Sequence, residues 1–358
     1  MIVSIKADIF KNKKNISDLV DLMHLFRKGK HRMHLKKIED FEAFDNSEWT
    51  ESLSKSDIDF LREGITIIDK KEIIVSESES DEEFTIKEAS LYLEQPLSIL
   101  VENYEYEPVF VNSIIKNFGE ELIRAKHKHW LKFENAAGGN DNSIKGMVKE
   151  LFDDPVFTKS KEKYLRCYVI KDSDREYCTF TEEGKVIVQD LPAAKISYLI
   201  EKQIPFHILY KREKENYMPD SVYNGFMQTP KKKDSKKEFS HLYLKLNPHQ
   251  KDFYDVEKGF SYKGKLKDRN SLAPEVKTLF EKLKDDSILN DKEYTMLGYG
   301  LPFSNFKAEF SEHFKVVSKS DLEKRIQHQP LLKSQVNPSD QTERHEFEHI
   351  INEIKYLL

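Results

Sequence analysis

The chain has 358 residues, 38% of them hydrophobic and 11% aromatic, with a net charge of −5, which excludes a disordered tail and leaves room for two or three packed units. Charges break every apolar run well before the roughly 18 residues that a membrane-spanning helix needs. Lys6, Asp8, Lys11, Lys13 and Lys14 interrupt the apolar core that a secretory signal requires, and Cys167 and Cys178 are too few for a disulfide framework, so a cytoplasmic protein without a membrane partner is expected.

Ser17–Phe26 and Asp57–Ile68 carry helical or mixed apolar spacing, with the basic cluster Arg27–Lys37 between them. The run Ser76–Glu83 (SESESDEE) reads as a solvated linker. A small N-terminal α+β unit is therefore expected over residues 1–88. From about Leu91, short apolar runs alternate with helix-like stretches: Leu97–Val101, Val109–Phe118, Trp130–Phe133, Ile144–Phe152, Leu165–Ile170, Ile196–Lys202 and Phe206–Tyr210. That alternation predicts βαβ units, an α/β fold with a mostly parallel sheet over residues 89–225. After a loop that ends in the basic stretch Pro230–Lys237, helical spacing returns at Pro274–Lys284 and Arg344–Leu358. Residues 226–358 read as an α-rich accessory unit.

Ligands collect at the carboxyl ends of parallel strands, and three carboxylates fall there. Glu102 follows Ser98–Val101, while Asp172 and Asp174 follow Cys167–Ile170. In an extended chain, residues two apart point the same way, so Asp172 and Asp174 are expected to offer both carboxylates to one cation. Such a hard oxygen site suits Mg2+ or Mn2+. Phosphodiester cleavage uses such ions to neutralise the attacking and leaving oxygens, with Glu102 either completing the ligand shell or moving a proton. The plainer reading of Asp-x-Asp after a strand is a solvated turn.

Leu100–Asn103 (LVEN), Asp172-Ser-Asp174 and Lys211–Pro219 (KREKENYMP) together resemble the Toprim domain, the Rossmann-like catalytic domain shared by topoisomerases, bacterial primases and the overcoming-lysogenisation-defect nucleases. The likeness is strongest to the defence-associated Toprim nucleases and covers roughly Leu91–Tyr223. It implies catalytic roles for Glu102, Asp172 and Asp174, with Glu215 joining them as a metal ligand. Asn103 stands where that pattern has glycine, and Asn is the residue next most tolerant of positive φ. Tyr106 stands where an acidic residue is common, which leaves Glu105 and Glu107 as alternatives.

The resemblance implies a Mg2+-dependent nuclease that cuts DNA or RNA, transfer RNA included, as the toxic effector of an anti-phage defence system. A separate ATPase or sensor partner and self-association into a homo-oligomer are further expectations. The rival reading is a non-catalytic nucleic-acid-binding or protein-binding subunit of a defence complex. Arg175, Arg212, Lys231, Lys232 and Lys233 are the expected contacts to nucleic acid, with a surface salt-bridge network as the alternative for Arg212. Ala136–Asn140 could cradle a phosphate or simply link a strand to a helix. His345–His349 matches a zinc-protease pattern but lacks a downstream third ligand, so a charged exposed helix face is expected there.

Overall fold

The computed structural model of the chain describes residues 1–63, 70–78, 80–135, 141–154, 157, 159–228, 235–260, 273–301, 310–335 and 340–358. Strands β1 (Ile2–Ile5), β2 (Arg32–His34) and β3 (Glu72–Val75) form a parallel sheet in the order β2-β1-β3. A second sheet begins with β4 (Leu97–Val101), β5 (Leu131–Asn135) and β6 (Cys167–Lys171). The antiparallel hairpin β7 (Cys178–Phe180) and β8 (Val186–Val188) then intervenes before β9 (Phe206–Ile208). The order β5-β4-β6-β9 is parallel throughout, which makes the protein α/β.

Leu97–Val101 and Cys167–Lys171 are buried along their whole length, as expected of strands covered on both faces. Alternate residues serve different cores. Leu97, Ile99, Val101, Tyr168 and Ile170 face a core shared with Phe347, Ile350 and Ile354 of the C-terminal helix Glu346–Leu357. Leu100, Cys167 and Val169 face one shared with Val3, Ile5 and Val75 of the first sheet. The four-stranded sheet is thus the middle layer, held from one side by the N-terminal sheet and its helices and from the other by C-terminal helices.

Local chemistry fixes the connections near the strand ends. Thr85 and Glu88 form a reciprocal capping box that starts the helix Ile86–Glu94 leading into β4. Pro108 lies in the first turn of the helix Glu107–Phe118 that leaves it. At Gly119 an added Cβ would lie 2.8 Å from the Ile351 side chain, which would have to shift to admit it, so glycine lets this turn pack closely on the C-terminal helix.

The ends of the stretch Ser76–Glu83 are tied into the fold. Ser76 is buried and donates to Glu83, which also pairs with Lys6 of the first sheet. The basic cluster is likewise engaged: Arg27 pairs with Asp57, Lys36 with Glu72 and Lys37 with Glu39. The C-terminal helix departs furthest from expectation, because Glu346 and Phe347 point into the core rather than to solvent. No helix among the described residues is long and apolar enough to cross a membrane.

Candidate metal centre

β4 and β6 are neighbours in parallel register, with Ile99 opposite Tyr168, so their carboxyl ends place Glu102 and Asp172 side by side. The chain after Glu102 folds back through an Asx turn. Asn103 Oδ1 accepts from the Glu105 N–H, and the Asn103 carbonyl accepts from the Glu107 N–H. Asn103 is not among the residues with positive φ, so no glycine-like conformation is needed there. The turn brings Glu107 rather than Glu105 to the strand end, where its Oε2 accepts from the Glu102 N–H at 2.7 Å.

Ligand oxygens of Glu102, Glu107 and Asp172 all lie within 4.8 Å of one another. Asp172 Oδ1 also accepts from the Lys214 N–H at 3.0 Å, which fixes its rotamer. Asp172 lies deep among protein atoms yet keeps a partial solvent opening. That opening is what an entering ion needs. Glu215 lies fully buried beside the three, and neither of its carboxylate oxygens has a hydrogen-bond partner.

The buried Lys214 ammonium pairs with two of these carboxylates. Lys214 Nζ lies 3.3 Å from Glu107 and 3.4 Å from Glu215. Burial works against its charge, but Glu215, Asp172 and Glu107 outweigh that and hold its pKa above the ordinary lysine value. Burial pushes Glu102 up to about 7, reinforced by the negative charges of Glu107 and Asp174. Burial also lifts Asp172 well above the usual carboxylate range, with Glu107 and Glu215 adding to it and Lys214 opposing it. Four carboxylates thus crowd a poorly solvated place, with the Lys214 ammonium paired to two of them and Lys195 and Lys171 also acting on Glu102. An all-oxygen donor set that includes a buried carboxylate without a hydrogen bond fits a hard divalent cation such as Mg2+ or Mn2+.

Asp174 lies apart from this group. The extended chain ends at Lys171, and Asp174 has φ +54°, so the two-residue alternation expected of Asp172 and Asp174 does not hold. Its carboxylate is largely exposed and pairs with Lys195, while its N–H donates to the Arg212 carbonyl. Asp174 still contributes negative charge at Glu102.

The two arginines are held by protein groups. Arg175 donates to the carbonyls of Gln189, Leu209 and Tyr210, tying the end of the β7–β8 hairpin to the strand end after β9. Arg212 donates to Asp255 at 3.0 Å, which matches the salt-bridge alternative. Lys231, Lys232, Lys233 and the Ala136–Asn140 loop lie outside the described residues. Sequence reasoning left Glu107 undecided against Glu105 and gave Lys214 no role; its position next to Glu215 in the KREKENY block was the only signal. A cleft of about 750 Å³, lined by residues of β3, 159–165 and 201–205, lies elsewhere and mixes lysines with glutamates.

Compared with family models, curated proteins and solved structures, the chain matches none.

Proposed function

We propose that the chain is a divalent-metal-dependent nuclease with a Toprim-like core. The observation that carries the reading is the convergence of Glu102, Glu107 and Asp172 within 4.8 Å at the carboxyl ends of two adjacent parallel strands, backed by the buried Glu215, whose carboxylate accepts no hydrogen bond. Glu102, Glu107 and Asp172 would hold the ion, with Glu215 behind them. A bound ion of this class polarises a phosphoryl oxygen and lowers the pKa of water, the two things that phosphodiester hydrolysis requires.

The remaining steps belong to the protein's own groups. Glu102 takes the proton from the attacking water as its oxygen adds to phosphorus. The bond from phosphorus to the leaving oxygen breaks, and that oxygen takes a proton from solvent. Lys214 keeps the carboxylates in place, and its backbone N–H sets the Asp172 rotamer. Lys195 stands at the rim with Asp174, close enough to act on Glu102 electrostatically. The sequence resemblance favours nucleic acid as the substrate, DNA or RNA, and a role as the effector of an anti-phage system alongside a separate sensor.

The test is incubation with plasmid, single-stranded DNA and transfer RNA, each with Mg2+, with Mn2+ and with chelator, for the wild type and Asp172→Asn. Cleavage of at least one substrate that chelator and Asp172→Asn both abolish is expected. Binding of nucleic acid that persists in chelator, with no cleavage of any substrate, would favour the non-catalytic subunit.

A further inference from the structure

A second cluster of ligand-type side chains lies outside the carboxylate centre. The helix Pro248–Phe253 starts with a capping box between Asn247 and Gln250, which fixes its first turn. His249 and Asp252 are three residues apart on it and so share a face. His328 comes from the turn after the helix Lys319–Ile326, where the Gln329 N–H donates to the Ile326 carbonyl. Ligand atoms of His249, Asp252 and His328 all lie within 4.8 Å of one another.

The surroundings resemble those of a held ligand. Asp252 is fully buried, its Oδ1 accepts from Lys211 Nζ at 2.6 Å, and its Oδ2 faces His328 Nε2 at 2.6 Å. The rings of His249 and His328 stand 5.3 Å apart and nearly perpendicular. His249 Nδ1 is buried without a hydrogen-bond partner, and a buried imidazole nitrogen left in that state is costly. Both histidines keep partial solvent access, so an ion has a way in.

We infer that His249, Asp252 and His328 form a binding site for a zinc-class transition-metal ion, separate from the carboxylate centre. Two imidazoles and one carboxylate are borderline-soft donors, suited to Zn2+ and not to Mg2+. Tetrahedral zinc with bonds of about 2.0–2.2 Å places its ligand atoms roughly 3.3 Å apart. From a spacing of at most 4.8 Å the three ligand atoms would close around the ion, while the His328–Asp252 pair, at 2.6 Å, would open by roughly 0.7 Å to reach that tetrahedral spacing. Lys211 anchors the far carboxylate oxygen in the way outer partners orient metal ligands. The site is placed to brace the segment that carries Glu215. The Asp252 carbonyl accepts from the Arg212 N–H at 2.9 Å, and Arg325, just before His328 in the chain, donates to the Asn216 carbonyl at 2.6 Å. The ion would therefore tie two C-terminal helices to the loop behind the carboxylates. Without an ion, the same residues are an ion network centred on Asp252, which Lys211, Arg325 and His328 already surround.

Metal content and Co2+ absorption of the full-length chain decide between the two, and neither readout depends on nuclease activity. The chain, purified without a histidine tag, stripped with chelator and dialysed against buffered Zn2+, should retain one zinc. His249→Gln and His328→Gln should lose it, and Asp172→Asn should keep it. Co2+ should give the intense visible bands of a tetrahedral site in the wild type and none in the two histidine variants. His249→Cys, which restores a zinc ligand, should recover them and covers the case that a glutamine variant fails to fold. A wild type that retains no zinc, or folded histidine variants that retain as much as the wild type, would overturn the site.

Discussion

Two buried glutamates, Glu346 and Glu215, show how differently the same side chain can be accommodated. Glu346, in the C-terminal helix, faces His207 Nε2 at 2.8 Å and accepts from the Tyr210 N–H at 2.7 Å and the Tyr217 hydroxyl at 2.6 Å. Glu215 is just as buried, yet accepts no hydrogen bond and shares one ammonium with Glu107. A buried carboxylate surrounded by donors holds a fold together, whereas one among other carboxylates is incomplete without a cation. Burial alone therefore does not mark a functional site.

The sharpest way to break this contrast is to make the same isosteric change in both places. Glu346→Gln sets an amide NH2 against groups that are themselves donors, and should cost about 2–3 kcal/mol of stability. Urea unfolding would read it, and an unchanged midpoint would remove Glu346 from its structural role. Glu215→Gln in chelator should have the opposite sign, a gain of roughly 1 kcal/mol from relief of like-charge crowding. It should also weaken Mg2+ binding. A clear loss of stability in chelator would show Glu215 to be a structural partner of Lys214.

These residues also show where the sequence is legible. The apolar runs of β4 and β6 are continuous because both faces of each strand are covered, and that continuity is what puts Glu102 and Asp172 at strand ends. Glu107 was undecided because the choice between it and Glu105 depends on a turn closed by the Asn103 side chain and backbone. Asp174 defeats the alternation rule because the chain leaves the extended conformation right after Lys171. The burial of Glu346 is not legible locally because His345–His349 reads as polar, while Glu346 finds its three partners more than a hundred residues away in sequence. Long-range partners of that kind leave no local signal.

A smaller effect lies beside Glu346. Burial, and then the neighbouring His207, pull the His349 pKa from its ordinary 6.5 down to about 4. Between those values the unfolded chain takes up a proton that the folded chain resists, so stability should fall as the pH drops through that window. Unfolding midpoints at pH 7 and pH 5 should differ in the wild type, and the difference should shrink in His349→Gln. An equal acid sensitivity in that variant would assign the effect to other groups.

The claim that the carboxylate group at the ends of β4 and β6 lacks a hard cation is tested most directly by thermal melting of the wild type and Asp172→Asn across a Mg2+ titration that starts from chelator. An ion that binds only the folded state must raise the melting temperature as its concentration rises. The wild type should therefore gain stability with Mg2+, while Asp172→Asn should start at or above the wild type in chelator and stay flat. Identical Mg2+ responses in the two proteins, or none in the wild type, would contradict the account.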